Sequence, residues 1–411
     1  MTKEKCIIIG ASHAAAQLAP SLRQEGWDGE IIVIGDEPYL PYHRPPLSKT
    51  FLAGDKTAES LAIRSVAFYE KHNITFLNNR VKSIKRDHQT ITLSDGQALH
   101  YNKLALCMGS RVRKIPLPGG ELEGVHYLRN IADVESIKKH INKGKHVVIL
   151  GGGYIGLETA SALKNQGMNV VVLEMAQRIL QRVTAPEMSK FYTRIHTEEG
   201  VSIYTGISVS GISGETHVEK VVCADGSEFQ ADLVVIGVGV LPNIELAEKA
   251  GIKVDNGIIV DEFCGTNDPN IVAAGDCTSH FNKIYDRRIR LESVPNANDQ
   301  GKTAAASICG VKKEYKSLPW FWSDQYNLKL QIAGLSQGYD QVIIRGDKLT
   351  SRSFAAFYFK GGHLISAECV NRPQEFMLSK KIIAGKLVIN QDRLTNESLA
   401  VKELLQFDLQ S

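Results

Sequence analysis

No apolar run in this 411-residue sequence approaches the ~20 residues that a membrane-spanning helix requires; the longest, such as Leu233 to Leu241, fall far short. Nor is there a close cysteine pair. Cys6, Cys107, Cys223, Cys264, Cys277, Cys309 and Cys369 contain no C-x-x-C spacing, and their number is odd, which argues against a disulfide framework. An excess of one charge is lacking as well. The 48 Lys and Arg against 45 Asp and Glu leave +3, no electrostatic ground for a nucleic-acid binder, although a local basic face stays open. The 35 glycines follow no three-residue period, which excludes collagen. With 43% hydrophobic and 23% charged residues, a disordered or coiled-coil chain is excluded too. At roughly 150 residues per domain, two or three domains are expected. Met1 to Lys5 lead directly into Cys6-Ile-Ile-Ile-Gly10, which reads as a strand and is too short for a signal-peptide core. The expectation is a cytoplasmic protein with no membrane segment.

What is present is a pair of similar segments. The first is Lys5 to Gly10, then Ala11-Ser12-His13-Ala14-Ala15, a helical stretch to Gln24, and Glu30 to Asp36. The second is His146 to Leu150, then Gly151-Gly-Gly-Tyr-Ile-Gly156, a helical stretch to Lys164, and Asn169 to Glu174. Each is an apolar strand, a small-residue turn, a helix, a second apolar strand and an acid. The first glycine and the acid are 26 residues apart in one copy and 23 in the other. A crossover of that length implies parallel strands, and two copies imply two mononucleotide-binding domains. The fold class expected is therefore α/β with two Rossmann-like dinucleotide-binding domains. Further strands are expected over Tyr101 to Met108, Ala231 to Val240 and Ile271 to Ala274. The last ninety or so residues alternate short β-type runs with turns and finish in a helix over Glu375 to Ala384, which suggests a C-terminal α+β domain.

In such a unit the glycines let backbone approach a pyrophosphate, the helix N-terminus offers N–H groups to it, and the acid accepts from ribose hydroxyls. Gly151, Gly153 and Gly156 with Glu174 complete that pattern in the second copy. Glu174 would repel a 2′-phosphate, so NAD is favoured over NADP, with Arg178 and Arg182 nearby weighing the other way. A tight turn that binds nothing is the alternative. The first copy departs from the pattern: Gly10 is kept, but Ser12 and Ala15 replace the later glycines. Thr266 to Asp276 compensates by placing Asp276 at the end of a late strand, where it can bond a ribityl hydroxyl; a helix N-cap is the other reading. A split dinucleotide domain with such a strand is the pattern of two-dinucleotide flavoproteins.

Several stretches together resemble the FAD-dependent NADH:ferredoxin reductases of the glutathione-reductase superfamily, in the putidaredoxin-reductase-like branch that serves oxygenases. They are Pro41-Tyr-His-Arg-Pro-Pro-Leu-Ser-Lys49, Gly151 to Glu158, Arg182-Val-Thr-Ala-Pro186, Val254-Asp-Asn-Gly257, Gly275-Asp-Cys277, Glu292-Ser-Val-Pro-Asn-Ala297 and Pro319-Trp-Phe-Trp-Ser-Asp-Gln325. Departures are Ser12 and Cys107-Met108-Gly109, where the superfamily usually has Ala-Thr-Gly. The resemblance implies FAD contacts at Ala14, Asp36, Lys49, Val81, Arg129, Asp276 and Val294, with Arg44 a further candidate. It implies NAD contacts at Gly153, Ile155, Glu158 and Glu174. The division expected is a discontinuous FAD domain (1–112 and 245–318), an NAD domain (113–244) and a C-terminal interface domain (319–411).

A nicotinamide gives up a hydride, whereas an iron–sulfur carrier takes single electrons, and a flavin converts between the two. Lys49 is the expected electrostatic residue, a cation that favours the negative reduced flavin, and by the resemblance it pairs with Glu158. A solvated surface lysine and an ordinary helix-first-turn acid are the bland alternatives. Trp320 and Trp322 cover the flavin, line a docking face or simply pack, and Tyr154 gates the nicotinamide pocket or packs. Disulfide reductases of this superfamily carry a redox cysteine early in the chain; the Pro41–Lys49 loop has none, so electrons do not pass through a dithiol there. The early histidines show no ligand spacing, and no metal is expected. The partner expected is an acidic [2Fe-2S] ferredoxin, with Arg287-Arg288-x-Arg290 and Lys380-Lys381 as candidate docking charges or plain solvated runs. The chain is expected to be a monomer or weak homodimer. Competing readings are a reductase of rubredoxin or of a small molecule, an NADH oxidase, and a flavin-bound redox sensor resembling apoptosis-inducing factor.

Overall fold

A computed structural model of the chain describes residues 3–405. They form two compact units. Within the described residues the first comprises 3–43, Glu59–Arg111 and Val240–Pro319; the second comprises Arg44–Ala58, Val112–Gly239 and 320–405. The loop carrying Arg44 and Lys49 thus belongs with the second unit.

Unit 1 is built on a five-stranded parallel sheet in the order Ile271–Ala273, Lys103–Leu106, Lys5–Ile9, Glu30–Gly35, Ile74–Asn78. Side chains alternate along a strand, so a sheet buried on both faces reads as an unbroken apolar run. Cys6 and Ile8 pack on one face with Ala14, Leu18 and Leu22 of the helix His13–Gln24. Ile7 and Ile9 pack on the other face with Ile258 and Val260.

Unit 2 repeats the plan. Its parallel sheet runs Ser202–Thr205, Asn169–Glu174, His146–Leu150, Leu233–Ile236, Val125–Tyr127. The first strand of each repeat pairs with its second in the same register, Lys5 with Glu30 and His146 with Asn169. The likeness extends to a three-stranded antiparallel meander in each unit, Val81–Lys85 with its neighbours and Val209–Ser213 with its own, both bulged at the same place in the first strand. Unit 2 also holds a five-stranded antiparallel sheet in the order Trp320–Gln325, Leu328–Gly334, His363–Val370, Phe354–Lys360, Gln341–Gly346. A helix, Pro373–Gly385, packs against it.

Two expectations need correction, and one alternative reading falls. The run Ala231 to Val240 is broken: a strand spans Leu233–Ile236 and a separate one begins at Val240, because Gly239 turns the backbone at φ +102°. The C-terminal helix starts at Pro373, whose fixed φ suits a first turn, and further helical turns follow at Gln391–Thr395 and Val401–Leu405. Asp276 is not a helix N-cap; it leads into the strand Thr278–Asn282.

Candidate active site

In unit 1 the first fingerprint has the geometry a nucleotide turn needs. Gly10 sits at φ +104°, and a Cβ there would lie 2.1 Å from the Cys107 carbonyl oxygen, so only glycine fits. Ser12 starts the helix His13–Gln24 without capping it through its side chain. Ala14 and Ala15 are buried, and Ala14 lies where the helix Val294–Ile308 approaches; added Cβ atoms on Gly275 and Gly301 would stand 3.2 and 2.8 Å from it. Asp36 follows the second strand and is exposed, 3.6 Å from Arg80 Nε, a weak surface pair that a ribose can displace. Val81 opens its strand, half-buried. Asp276 accepts from Ser110 Oγ at 3.0 Å. Its turn is held by Gln300 Oε1, which accepts from Gly275 N at 2.8 Å and Thr278 Oγ1 at 2.9 Å. Val294 is the first residue of its helix, capped by Ser293.

All seven cysteines are free. Cys277 is fully buried, its thiol pushed up to about 11 by burial and directed at the Leu106 and Ala274 carbonyls. It is therefore a neutral thiol at physiological pH rather than a redox thiolate.

In unit 2 Gly151 sits at φ +111°, and a Cβ on Gly156 would stand 2.1 Å from the Gly151 carbonyl oxygen. Around Gly153 no atom lies within 4 Å of a would-be Cβ, and no side chain caps the helix Tyr154–Asn165 there. That open cradle at an uncapped helix start fits a pyrophosphate. Beside it Ile155 is 46% exposed, an apolar side chain left for a ligand to cover. Glu174 accepts from Gly152 N at 2.7 Å and Ala176 N at 2.8 Å, which fixes the carboxylate at the turn. Arg178 is spent on Ser189 Oγ and the Gln181 carbonyl.

The loop Arg44–Ala58 meets the same helix. Arg44 donates to the Arg129 carbonyl at 2.9 Å, and Arg129 N donates to Asp133, which closes a capping box with Asn130. Lys49 Nζ lies 2.7 Å from Glu158 Oε2, with the Glu158 side chain 2% and the Lys49 side chain 17% exposed. Ser48 Oγ donates to the same oxygen at 2.6 Å, and Ser323 Oγ donates to Oε1 at 2.7 Å. The buried carboxylate thus has donors on both oxygens, as a buried charge requires.

This arrangement follows from matched periods. Tyr154, Glu158 and Ser161 share one face of their helix, and Phe321 and Ser323 one face of their strand. Four helix residues and two strand residues both advance about 6 Å. Tyr154 accordingly meets Phe321 (ring centroids 4.9 Å apart), Glu158 meets Ser323, and Ser161 accepts from Tyr326 N at 2.8 Å. Trp320 and Trp322 occupy the opposite strand face, 5.6 Å apart, with Phe376 and the Lys380 ammonium against Trp320. In unit 1 Arg288 donates to the Ser279 carbonyl and Arg290 pairs with Glu292, so two charges of that run are engaged. Among the described residues no cluster of His, Cys, Asp and Glu could hold a metal, and no helix is long and apolar enough to cross a membrane.

Sequence reasoning missed Ser323, with Gln325 bonded to it and His196 bonded to Gln325, and it missed Glu368. The last is fully buried, bonded by Thr184 and by Tyr358 at 2.8 Å, and burial pushes its carboxyl up to about 7.

Residues 4–301 match the family described as pyridine nucleotide-disulphide oxidoreductase, and residues 320–405 match the reductase C-terminal family. The chain belongs to the pyridine nucleotide-disulphide oxidoreductases. It is 43% identical to putidaredoxin reductase of Pseudomonas putida over 98% of this chain and 97% of that protein, and 40% identical to rhodocoxin reductase of Rhodococcus erythropolis over 96% and 93%. A solved covalent putidaredoxin reductase–putidaredoxin complex matches with a TM-score of 0.95 and 43% identity, covering 98% of this chain and 99% of that one.

Proposed function

We propose that this chain is an FAD-dependent ferredoxin–NAD(+) reductase that takes electrons from NADH and delivers them singly to a [2Fe-2S] ferredoxin serving an oxygenase. The observation that carries the reading is the buried Lys49–Glu158 pair set against a complete dinucleotide fingerprint, in a chain without a cysteine pair. FAD, when bound, supplies the conversion of a hydride into single electrons.

The residues hold and tune. In the discontinuous domain 1–112 and 245–318, Gly10, Ala14, Ala15, Asp36, Val81, Asp276 and Val294 bind the flavin nucleotide, assisted by Arg44, Arg129 and Trp322. In 113–244, Gly151, Gly153, Ile155, Gly156 and Glu174 bind NADH. Glu174 excludes a 2′-phosphate, and the engagement of Arg178 with Ser189 and the Gln181 carbonyl supports NAD over NADP. Lys49 carries a positive charge that stabilises negative charge gained on reduction, and the contact with Glu158 at 2.7 Å holds that ammonium in place. The C-terminal domain 319–411 serves as the interface domain. Seven unpaired, mostly buried cysteines support a reducing compartment, the cytoplasm.

The test is carrier specificity. NADH-driven cytochrome c reduction should be fast only when a [2Fe-2S] ferredoxin is added and slow with NADPH. Equal rates with rubredoxin, or without any carrier, would contradict the proposal.

A further inference from the structure

The Glu158 carboxylate is one end of a longer buried chain of hydrogen bonds. From Glu158 outward, Ser323 Oγ lies 2.7 Å from Oε1, Gln325 Nε2 3.1 Å from Ser323 Oγ, His196 Nε2 2.8 Å from Gln325 Oε1, and Tyr326 Oη 3.0 Å from His196 Nδ1. Ser323, Gln325 and His196 are each at most 1% exposed. Ser323 and Gln325 share one face of their strand, His196 comes from the last turn of the helix Pro186–Glu198, and Tyr326 from the turn after the strand.

Chemistry fixes the direction of every bond. An ionised carboxylate only accepts, so Ser323 gives its single proton to Glu158. Its oxygen then accepts from Gln325, which must present its amide nitrogen there and its carbonyl oxygen to His196. That oxygen cannot donate, so His196 carries its proton on Nε2. Bare Nδ1 then accepts from the Tyr326 hydroxyl. All four donors point toward the one anion, and bonds aligned in this way polarise one another in a low-dielectric interior. Burial pushes the His196 ring down to about 4, which keeps it neutral across the working range.

We propose that Tyr326, His196, Gln325 and Ser323 form one polarised array that positions Glu158, and through it Lys49, for the reductase reaction. The inference rests on the role proposed above for the Lys49–Glu158 pair. His196 is a positioning residue. The array does not conduct protons, because the Gln325 amide would have to pass through its imidic tautomer. Its work is to lock the Ser323 hydroxyl: without the Gln325 donor that hydroxyl rotates freely, and Oε1 of the buried carboxylate loses its fixed partner.

The test combines kinetics and spectroscopy on the FAD-containing protein. Gln325→Leu keeps the volume and removes both links. Losing a bond of this kind is worth about 1.4 kcal/mol, or about tenfold. Flavin reduction at saturating NADH should therefore slow roughly tenfold, with NADH affinity unchanged. His196→Phe should act likewise, and His196→Gln, whose amide can donate to Gln325 and accept from Tyr326, should recover most of the rate. In a ¹⁵N-histidine spectrum, His196 should be neutral with its proton on Nε2. Glu158→Gln should move that proton signal upfield although the two side chains never touch. An unmoved signal, a proton on Nδ1, or failure of His196→Gln to outperform His196→Phe would overturn the array. Should Gln325→Leu not retain flavin, the spectrum of Ser323→Ala decides, since it should move the same signal. Lys49→Met measured alongside separates the two claims. If it slows reduction while Gln325→Leu does not, only the array falls; if it changes nothing, the role of the pair falls and the array with it.

Discussion

Replacing Lys49 by methionine removes a cation whose carboxylate partner is buried. The Lys49 ammonium stands 2.7 Å from a Glu158 side chain that is 2% exposed. Breaking such a pair from one side leaves an uncompensated charge and costs about 3–5 kcal/mol in stability. Ser48 and Ser323 still donate to the carboxylate, which places the expectation at the low end, about 3 kcal/mol. The second partner makes the argument testable. Adding Glu158→Gln removes the stranded charge, so Lys49→Met/Glu158→Gln should be more stable than Lys49→Met alone, and a double-mutant cycle from denaturant unfolding of the holoprotein should show the coupling. The rate behaves differently. If Lys49 stabilises charge gained on reduction, stopped-flow flavin reduction by NADH should slow by roughly 100- to 1000-fold in Lys49→Met, the scale of one lost electrostatic donor, and Glu158→Gln should not restore it. Additive stabilities together with an unchanged reduction rate would refute the reasoning: the pair would then be an ordinary partly buried ion pair.

Other consequences are as direct. Glu174→Ala removes the acceptor for Gly152 N and Ala176 N and the repulsion toward a 2′-phosphate, so the KM for NADH should rise and discrimination against NADPH should relax; steady-state kinetics with both cofactors checks this. Gly156→Val places a Cβ 2.1 Å from the Gly151 carbonyl oxygen, so NADH binding should be lost while the visible flavin spectrum persists. Glu368 binds its proton more tightly folded than unfolded, because burial raises it from 4.5 to about 7. Stability from this group is therefore full below pH 4.5 and falls as pH rises toward 7, a loss on the order of 3 kcal/mol. Glu368→Gln should flatten that slope in urea melts taken across the interval and leave the protein more stable than the parent at pH 8.

The two nucleotide turns were legible because their glycines answer local demands: a left-handed φ at Gly10 and Gly151, and a missing Cβ at Gly156 where helix and strand nearly touch. The parallel sheets were legible because Cys6 to Ile9 and Val147 to Leu150 are apolar on both faces. Strand ends were less so, since Val234 and Val238 look alike in sequence, and only the glycines at 237 and 239 mark where the ladder gives way to a loop. Lys49 and Glu158 were found through resemblance rather than periodicity. The Ser323, Gln325 and His196 partners were out of reach: Ser323 lies 165 residues from Glu158, and Gln325 lies 129 from His196. Alternation says that Ser323 and Gln325 share a face, but not which helix that face meets. Glu368 was hidden for a similar reason. An isolated acid in a β-type run reads as solvent-facing until the helix and strands around it are in place.

The central claim is that one bound flavin receives an electron pair from NADH and releases it as single electrons. Anaerobic titration of the purified holoprotein with NADH, in the presence of excess oxidised [2Fe-2S] ferredoxin, measures this directly. The account requires a yellow protein, bleached by NADH alone, that reduces one ferredoxin for each electron of the pair. A colourless polypeptide that cannot be reconstituted with FAD, or a yellow one that NADH bleaches without any ferredoxin becoming reduced, would contradict it.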